Sequence, residues 1–104
     1  MLVTRRGLLE WKTAVEAESE TITYKELDAK ANQLANYLRS IDVKRGSLVG
    51  ICVERSLDMM IGLLGIMKSG AAYVPIDPAY PAERVNAILE DSGVKTMVTQ
   101  AHLA

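Results

Sequence analysis

Apolar residues recur at alternating spacings of four and three from Leu27 through Ala31, Leu34 and Leu38 to Ile41. That is one stripe on a helix, and Lys25, Asp28, Lys30, Asn32, Gln33, Asn36 and Arg39 fall away from it. The pattern predicts a helix with one face on a core and the other in water. Thr23-Tyr24-Lys25-Glu26 opens it as a capping box. The Thr23 hydroxyl can accept from the N–H of Glu26, and the Glu26 carboxylate can reach back to the N–H of Thr23. After the turn at Lys44-Arg45-Gly46-Ser47, the run from Leu48 to Val53 is apolar on both faces. Such a run suits a parallel strand covered by helices on each side. Ser56 is placed to cap a second helix, with Asp58 near its positive end. In that helix Leu57, Met59, Met60, Ile61, Leu63, Leu64, Ile66 and Met67 leave almost no polar face. Lys68-Ser69-Gly70 ends it, with Gly70 at the left-handed position.

Residues 71–77 read as a short strand running into a rigid loop, because Pro75, Pro78 and Pro81 each fix a φ angle. Pro81 suits the first position of a third helix, Val85, Ile88 and Leu89 its inner side, and Gly93 its stop. Residues 94–99 form a last short strand. Upstream, residues 13–17 and 20–24 flank Glu18-Ser19, and the β-branched alternation of the second run predicts a short hairpin. Residues 1–12 predict no element of their own; a remnant helix over residues 7–12 and a disordered leader both fit them.

Strands alternating with helices imply parallel β-α-β units with right-handed crossovers. The expected fold class is α/β: a partial, open, mostly parallel sheet flanked by helices and preceded by a short β-hairpin. The second helix offers more apolar surface than three short strands can cover, so a larger body is expected to receive it.

Charge narrows the function classes. Twelve basic and thirteen acidic residues among 104 give a net charge of -1. That balance gives no electrostatic footprint for nucleic acid or for an anionic membrane. Trp11, four Tyr and no Phe are too few aromatics for a base-stacking platform. The basic start is not followed by an apolar core segment, so no signal peptide is expected, and no apolar run is long enough to span a bilayer. The expected compartment is the cytoplasm.

Candidate chemistry is sparse. Cys52, the only cysteine, sits in an apolar run and reads as a small buried hydrophobe. His102, the only histidine, is third from the last position and cannot anchor a Ser-His-Asp triad. Residues 62–69, Gly-Leu-Leu-Gly-Ile-Met-Lys-Ser, imitate the phosphate-binding pattern G-x-x-x-x-G-K-[ST], but Met67 replaces its second glycine. Lys68 and Ser69 fall at a helix end, where carbonyls point outward, and Lys68 there complements the negative end of its helix. The pairs Glu16/Glu18 and Glu90/Asp91 read as solvated surface. Glu54 and Arg55 follow a buried strand at its C-terminal end, where open parallel sheets bind ligands; a surface ion pair or a cap contact is the alternative. Asp77 lies comparably after the next strand, where accepting backbone N–H bonds is its ordinary role. Tyr73 and Tyr80 flank the same loop.

At this loop the sequence becomes specific. Residues 66–84, Ile-Met-Lys-Ser-Gly-Ala-Ala-Tyr-Val-Pro-Ile-Asp-Pro-Ala-Tyr-Pro-Ala-Glu-Arg, closely resemble the second core motif of the adenylation domains of nonribosomal peptide synthetases. Residues 22–27, Ile-Thr-Tyr-Lys-Glu-Leu, resemble the first core motif. Residues 49–59, Val-Gly-Ile-Cys-Val-Glu-Arg-Ser-Leu-Asp-Met, are similar to the segment between the two. The resemblance runs from about residue 20 to residue 100, and residues 1–12 do not share it.

The resemblance implies an adenylate-forming enzyme of the acyl-CoA ligase and luciferase type. With ATP and Mg²⁺ it would turn a carboxylate into an acyl-adenylate, then pass the acyl group to the phosphopantetheine thiol of a carrier protein. It further implies that residues 13–104 are part of the N-terminal subdomain of an adenylation (AMP-binding) domain, with residues 1–12 an unassigned leader. The family's Ser/Thr/Gly-rich phosphate loop, adenine-contacting motif, ribose-binding Asp, hinge and catalytic Lys all fall outside this stretch. No catalytic, cofactor-binding or metal-binding residue is therefore expected here, and the 104 residues alone are expected to be inactive. Its expected partners are the rest of the domain and a carrier protein, with no nucleic acid and no membrane. Two other readings stay open at this point: a non-catalytic interaction or structural module, and a small stand-alone nucleotide-binding domain.

Overall fold

The structure, a computed structural model, describes residues 1–5, 12–13, 23–54 and 57–100. The first helix, α1, spans Tyr24–Ser40 and buries Leu27, Ala31, Leu34, Ala35 and Leu38, the predicted stripe widened by one alanine. Ile41, the last apolar residue of the stripe, is half-buried at the C-cap and packs on the core. Thr23 caps the start: its hydroxyl accepts from the N–H of Glu26 at 3.1 Å and donates to the Glu26 carboxylate at 3.2 Å. Thr23→Ala removes that acceptor from an orphan helix donor and is expected to cost about 0.5–2 kcal/mol, read as a lowered urea midpoint. At the other end, Val43 N–H bonds the Leu38 carbonyl and Asp42 N–H the Arg39 carbonyl. This is a Schellman ending with Asp42, at φ 73, where glycine is customary.

Three parallel strands follow the predicted order. They are β3 (Leu48–Cys52), β4 (Ala72–Pro75) and β5 (Thr96–Thr99). The helices α2 (Leu57–Lys68) and α3 (Ala82–Ser92) connect them. Gly70 and Gly93 end those helices with φ of +91 and +72, as expected. Pro81, expected at the first helical position, is instead the N-cap residue, with φ -59 and ψ 152. Its carbonyl accepts from Arg84 and Val85, and its missing N–H costs nothing outside the helix.

The sheet is mixed, in the order β2-β1-β5-β3-β4. Here β1 is Leu2–Arg5 and β2 is Lys12–Thr13. The sequence pattern assigns no element to residues 1–12, yet β1 pairs antiparallel with β5 from Leu2↔Thr99 to Arg5↔Thr96. Four residues carry too little periodicity to announce a strand whose partner lies more than ninety positions away. The hairpin expected over residues 13–24 falls largely on residues 14–22, outside the described ones; Thr13 belongs to β2 and Tyr24 to α1.

Register decides the faces. Val49 and Ile51 of β3 lie level with Thr96 and Val98 of β5, and Val98 pairs with Val3 of β1. Val3, Val49, Ile51 and Val98 join Leu34 and Leu38 of α1 and Ile61 and Ile66 of α2 in one buried cluster. The crossover from β4 back to β5 runs opposite to that from β3 to β4. Right-handed connections therefore set α3 on the other face from α2. No α3 residue is buried, and Val85, Ile88 and Leu89 are only half-covered. The N–H of Ala72 bonds the Ser47 carbonyl just before β3, and that of Ile76, just after β4, bonds the Ile51 carbonyl of β3. Pro75, one position out of phase with them, points its donorless nitrogen away from β3 and costs the ladder nothing.

Candidate functional site

The C-terminal ends of β3 and β4 open into a cleft of about 790 Å³. Ile51, Val53 and Glu54 supply one wall, Met59 and Leu63 of α2 another, and Tyr73 with residues 75–80 the third. Glu54 and Asp77, singled out separately in the sequence, thus border one space, together with Tyr73 and Tyr80. Arg55 lies outside the described residues.

Several polar groups around the cleft are bonded within the protein itself. The Asp77 carboxylate accepts from the N–H of Ala79 at 2.9 Å, and its carbonyl accepts from the N–H of Tyr80 at 3.0 Å. Asp77 therefore holds the turn, its ordinary role. The Arg84 guanidinium sits 4.2 Å from the centre of the Tyr80 ring, a cation–π contact that fixes the loop to the start of α3. Gln100, which the sequence does not mark, latches the end of β5 to the β3–α2 junction. Its Oε1 accepts from the Glu54 N–H at 2.9 Å, and its Nε2 donates to the Asp58 carboxylate at 2.9 Å. Thr99 adds a 2.7 Å bond from its hydroxyl to the Cys52 carbonyl. Cys52 is half-buried; burial, and then the nearby Asp77 charge, push its thiol up and make it a poorer nucleophile.

Lys68 and Ser69 lie at the opposite end of the sheet, just before β4 begins. Ser69 is buried and its hydroxyl donates to the Ile66 carbonyl inside the same helix end. Lys68 does not serve its own helix terminus as expected. It reaches across to Asp28 of α1 at 2.8 Å, and its hydrogen bond and charge hold the Asp28 carboxyl below the usual range. The α2 terminus is met by Arg39 of α1, which donates to the Lys68 carbonyl at 2.7 Å. A side chain from a facing helix, 29 positions away, leaves no local sequence signal.

No group of three or more His, Cys, Asp or Glu among the described residues is gathered to hold a metal ion. The one glycine-lysine-serine stretch is spent on helix packing. His102 lies outside the described residues. Among the described residues no helix is long and apolar enough to cross a membrane.

The AMP-binding enzyme family matches residues 9–104. A linear gramicidin synthase protein of Brevibacillus parabrevis is 56% identical over 92 residues, which are 88% of this chain and 1% of that protein. Gramicidin S synthase 2 of Brevibacillus brevis is 54% identical over 90 residues, 86% of this chain and 2% of its own length. Among solved structures, the alpha-methyl-L-serine-AMP bound form of the nonribosomal peptide synthetase FmoA3 superposes with a TM-score of 0.77 at 38% identity. That match covers 86% of this chain and 10% of the other. A holo four-domain nonribosomal peptide synthetase bound to AMP and glycine gives 0.77 at 40% identity, over 82% of this chain and 6% of that one. The chain belongs to the AMP-binding enzyme family, and the segment it represents is that of a nonribosomal peptide synthetase adenylation domain.

Proposed function

We propose that these residues serve as architecture within an amino-acid adenylation domain. In that domain an amino-acid carboxylate attacks the α-phosphorus of ATP to give an aminoacyl-adenylate and pyrophosphate, and the aminoacyl group then passes to the phosphopantetheine thiol of a carrier protein with release of AMP. ATP and Mg²⁺ supply the leaving group and the charge neutralisation when bound. The residues described here would hold neither; they build one end of the sheet on which the rest of the domain rests. The expected partners are that remainder and a carrier protein. An artificially fused adenylation-PCP di-domain from Klebsiella oxytoca, 28% identical with a TM-score of 0.74, supports the second. The expected compartment is the cytoplasm.

The observation that carries the reading is the 56% identity over 92 residues with a linear gramicidin synthase protein, joined to a superposition on AMP-bound synthetases. A non-catalytic interaction module is not favoured by such relatives. The test is a graft. Residues 9–104 replace the matching segment of an adenylation domain of gramicidin S synthase 2, and amino-acid-dependent ATP–pyrophosphate exchange is measured. Exchange with the host's own amino acid, within about tenfold of the host rate, is the expected result. A soluble, folded graft without exchange would remove the proposal.

A further inference from the structure

The strands β3, β4 and β5 run parallel, so their C-terminal ends share one edge of the sheet. Open α/β sheets bind ligands outside that edge. The last register pair between β3 and β5 is Cys52↔Thr99. One residue further on, the Gln100 side chain takes over from the backbone ladder. Its Oε1 accepts from the Glu54 N–H, and its Nε2 donates to the carboxylate of Asp58 in the first turn of α2, both at 2.9 Å. The partners fix which way the amide points, because a backbone N–H only donates and an ionised carboxylate only accepts. Glutamate has the same size but at neutral pH offers acceptors alone, and it would set one carboxylate against another at Asp58.

This latch holds position more than it holds the fold together. Glu54 is exposed, and Asp58 and Gln100 are half-buried. Water can satisfy the same groups when the latch lets go, so its share of the unfolding free energy is small. What goes with it is the tie between the end of β5, the β3–α2 junction and the first turn of α2. The neighbouring Thr99 hydroxyl bonds the Cys52 carbonyl and so ties β5 to β3 alone.

We infer that Gln100 is a positioning residue of the adenylation domain: its amide fixes the direction in which the chain leaves β5 relative to the start of α2, at the ligand-binding edge of the sheet. The inference rests on the reading proposed above. In the solved relatives the matched stretch is 10% and 6% of the chain, so most of the polypeptide is joined on beyond its ends. A misplacement of about 1 Å, even far from the reacting atoms, can cost on the order of a hundredfold in rate.

The test compares Gln100→Glu and the double variant Gln100→Glu/Asp58→Asn in the grafted domain. The double variant reverses the polarity of the latch. The new carboxylate at position 100 accepts from the Glu54 N–H and from the new amide at position 58. Gln100→Glu alone is expected to lower kcat for ATP–pyrophosphate exchange at least about tenfold, with KM for the amino acid within about twofold and the urea midpoint unchanged. The double variant is expected to recover kcat to within about threefold of the parent graft. A kcat for Gln100→Glu within about twofold of the parent overturns the inference. A loss that comes with a lowered midpoint makes Gln100 a stabilising contact only, and a double variant no faster than the single one makes the polarity of the latch irrelevant; either overturns it. An active parent that is insensitive at Gln100 removes this inference alone. A folded parent without exchange removes the functional reading and this inference with it.

Discussion

Leu34→Ala is expected to lower the stability of the domain that carries this segment by about 2–5 kcal/mol. Leu34 is completely buried at the centre of the α1–α2 contact and is among the largest fully buried side chains of the described residues. Removing its isobutyl group loses transfer free energy and leaves a void that two helices pinned to one sheet cannot close. Urea unfolding followed by far-UV circular dichroism reads the effect as a lower midpoint with an unchanged slope. A midpoint equal to that of the parent would mean that Leu34 is not packed as described.

The second large effect is expected at Gly65, on the facing side of the same contact. A Cβ placed there would lie 2.6 Å from Leu34 Cδ2, 2.8 Å from its Cγ and 2.9 Å from its Cβ. Two opposed terms act on Gly65→Ala. Alanine gains about 1 kcal/mol over glycine inside a helix. Overpacking a filled contact costs about 1–3 kcal/mol, and the high end applies because Leu34 Cβ cannot rotate away. A net loss of about 2 kcal/mol follows. The two sites touch, so their effects do not add. In the double variant the shortened Leu34 side chain makes room for the new methyl group, and the measured loss falls below the sum of the single losses. Strict additivity would contradict the geometry.

The contrast between these residues and the rest of the chain explains what was legible in advance. Leu27, Ala31, Leu34 and Leu38 announce α1 because a helix repeats its face every three or four positions, and Thr23 with Glu26 marks its start. The strand β3 is readable because both its faces are covered. The antiparallel strand β1 is not, since its four residues gain meaning only against β5. The cap that Arg39 places on α2, the Lys68–Asp28 pair and the Gln100 latch join residues 29 to 46 positions apart, and pattern along the chain is blind to such pairs. At the cleft, Glu54 and Asp77 were visible one at a time through their places after parallel strands; only the register of β3 with β4 brings them to one space. The family is legible for another reason. The loop from Tyr73 to Tyr80 joins three conformational constraints, two prolines and an Asp-held turn, and lies within residues 66–84, which carry the resemblance.

The distribution of apolar surface ties these points together. Helix α1 buries its stripe within the segment, whereas α2 leaves Met60 and Met67 outside and α3 buries nothing fully. Such a distribution accords with the proposed reading, in which the chemistry is completed elsewhere in the domain. Amino-acid-dependent ATP–pyrophosphate exchange by the 104 residues alone is the most direct measurement of that claim. The account predicts background rates with every amino acid tried, and turnover above background by this chain unaided would contradict it.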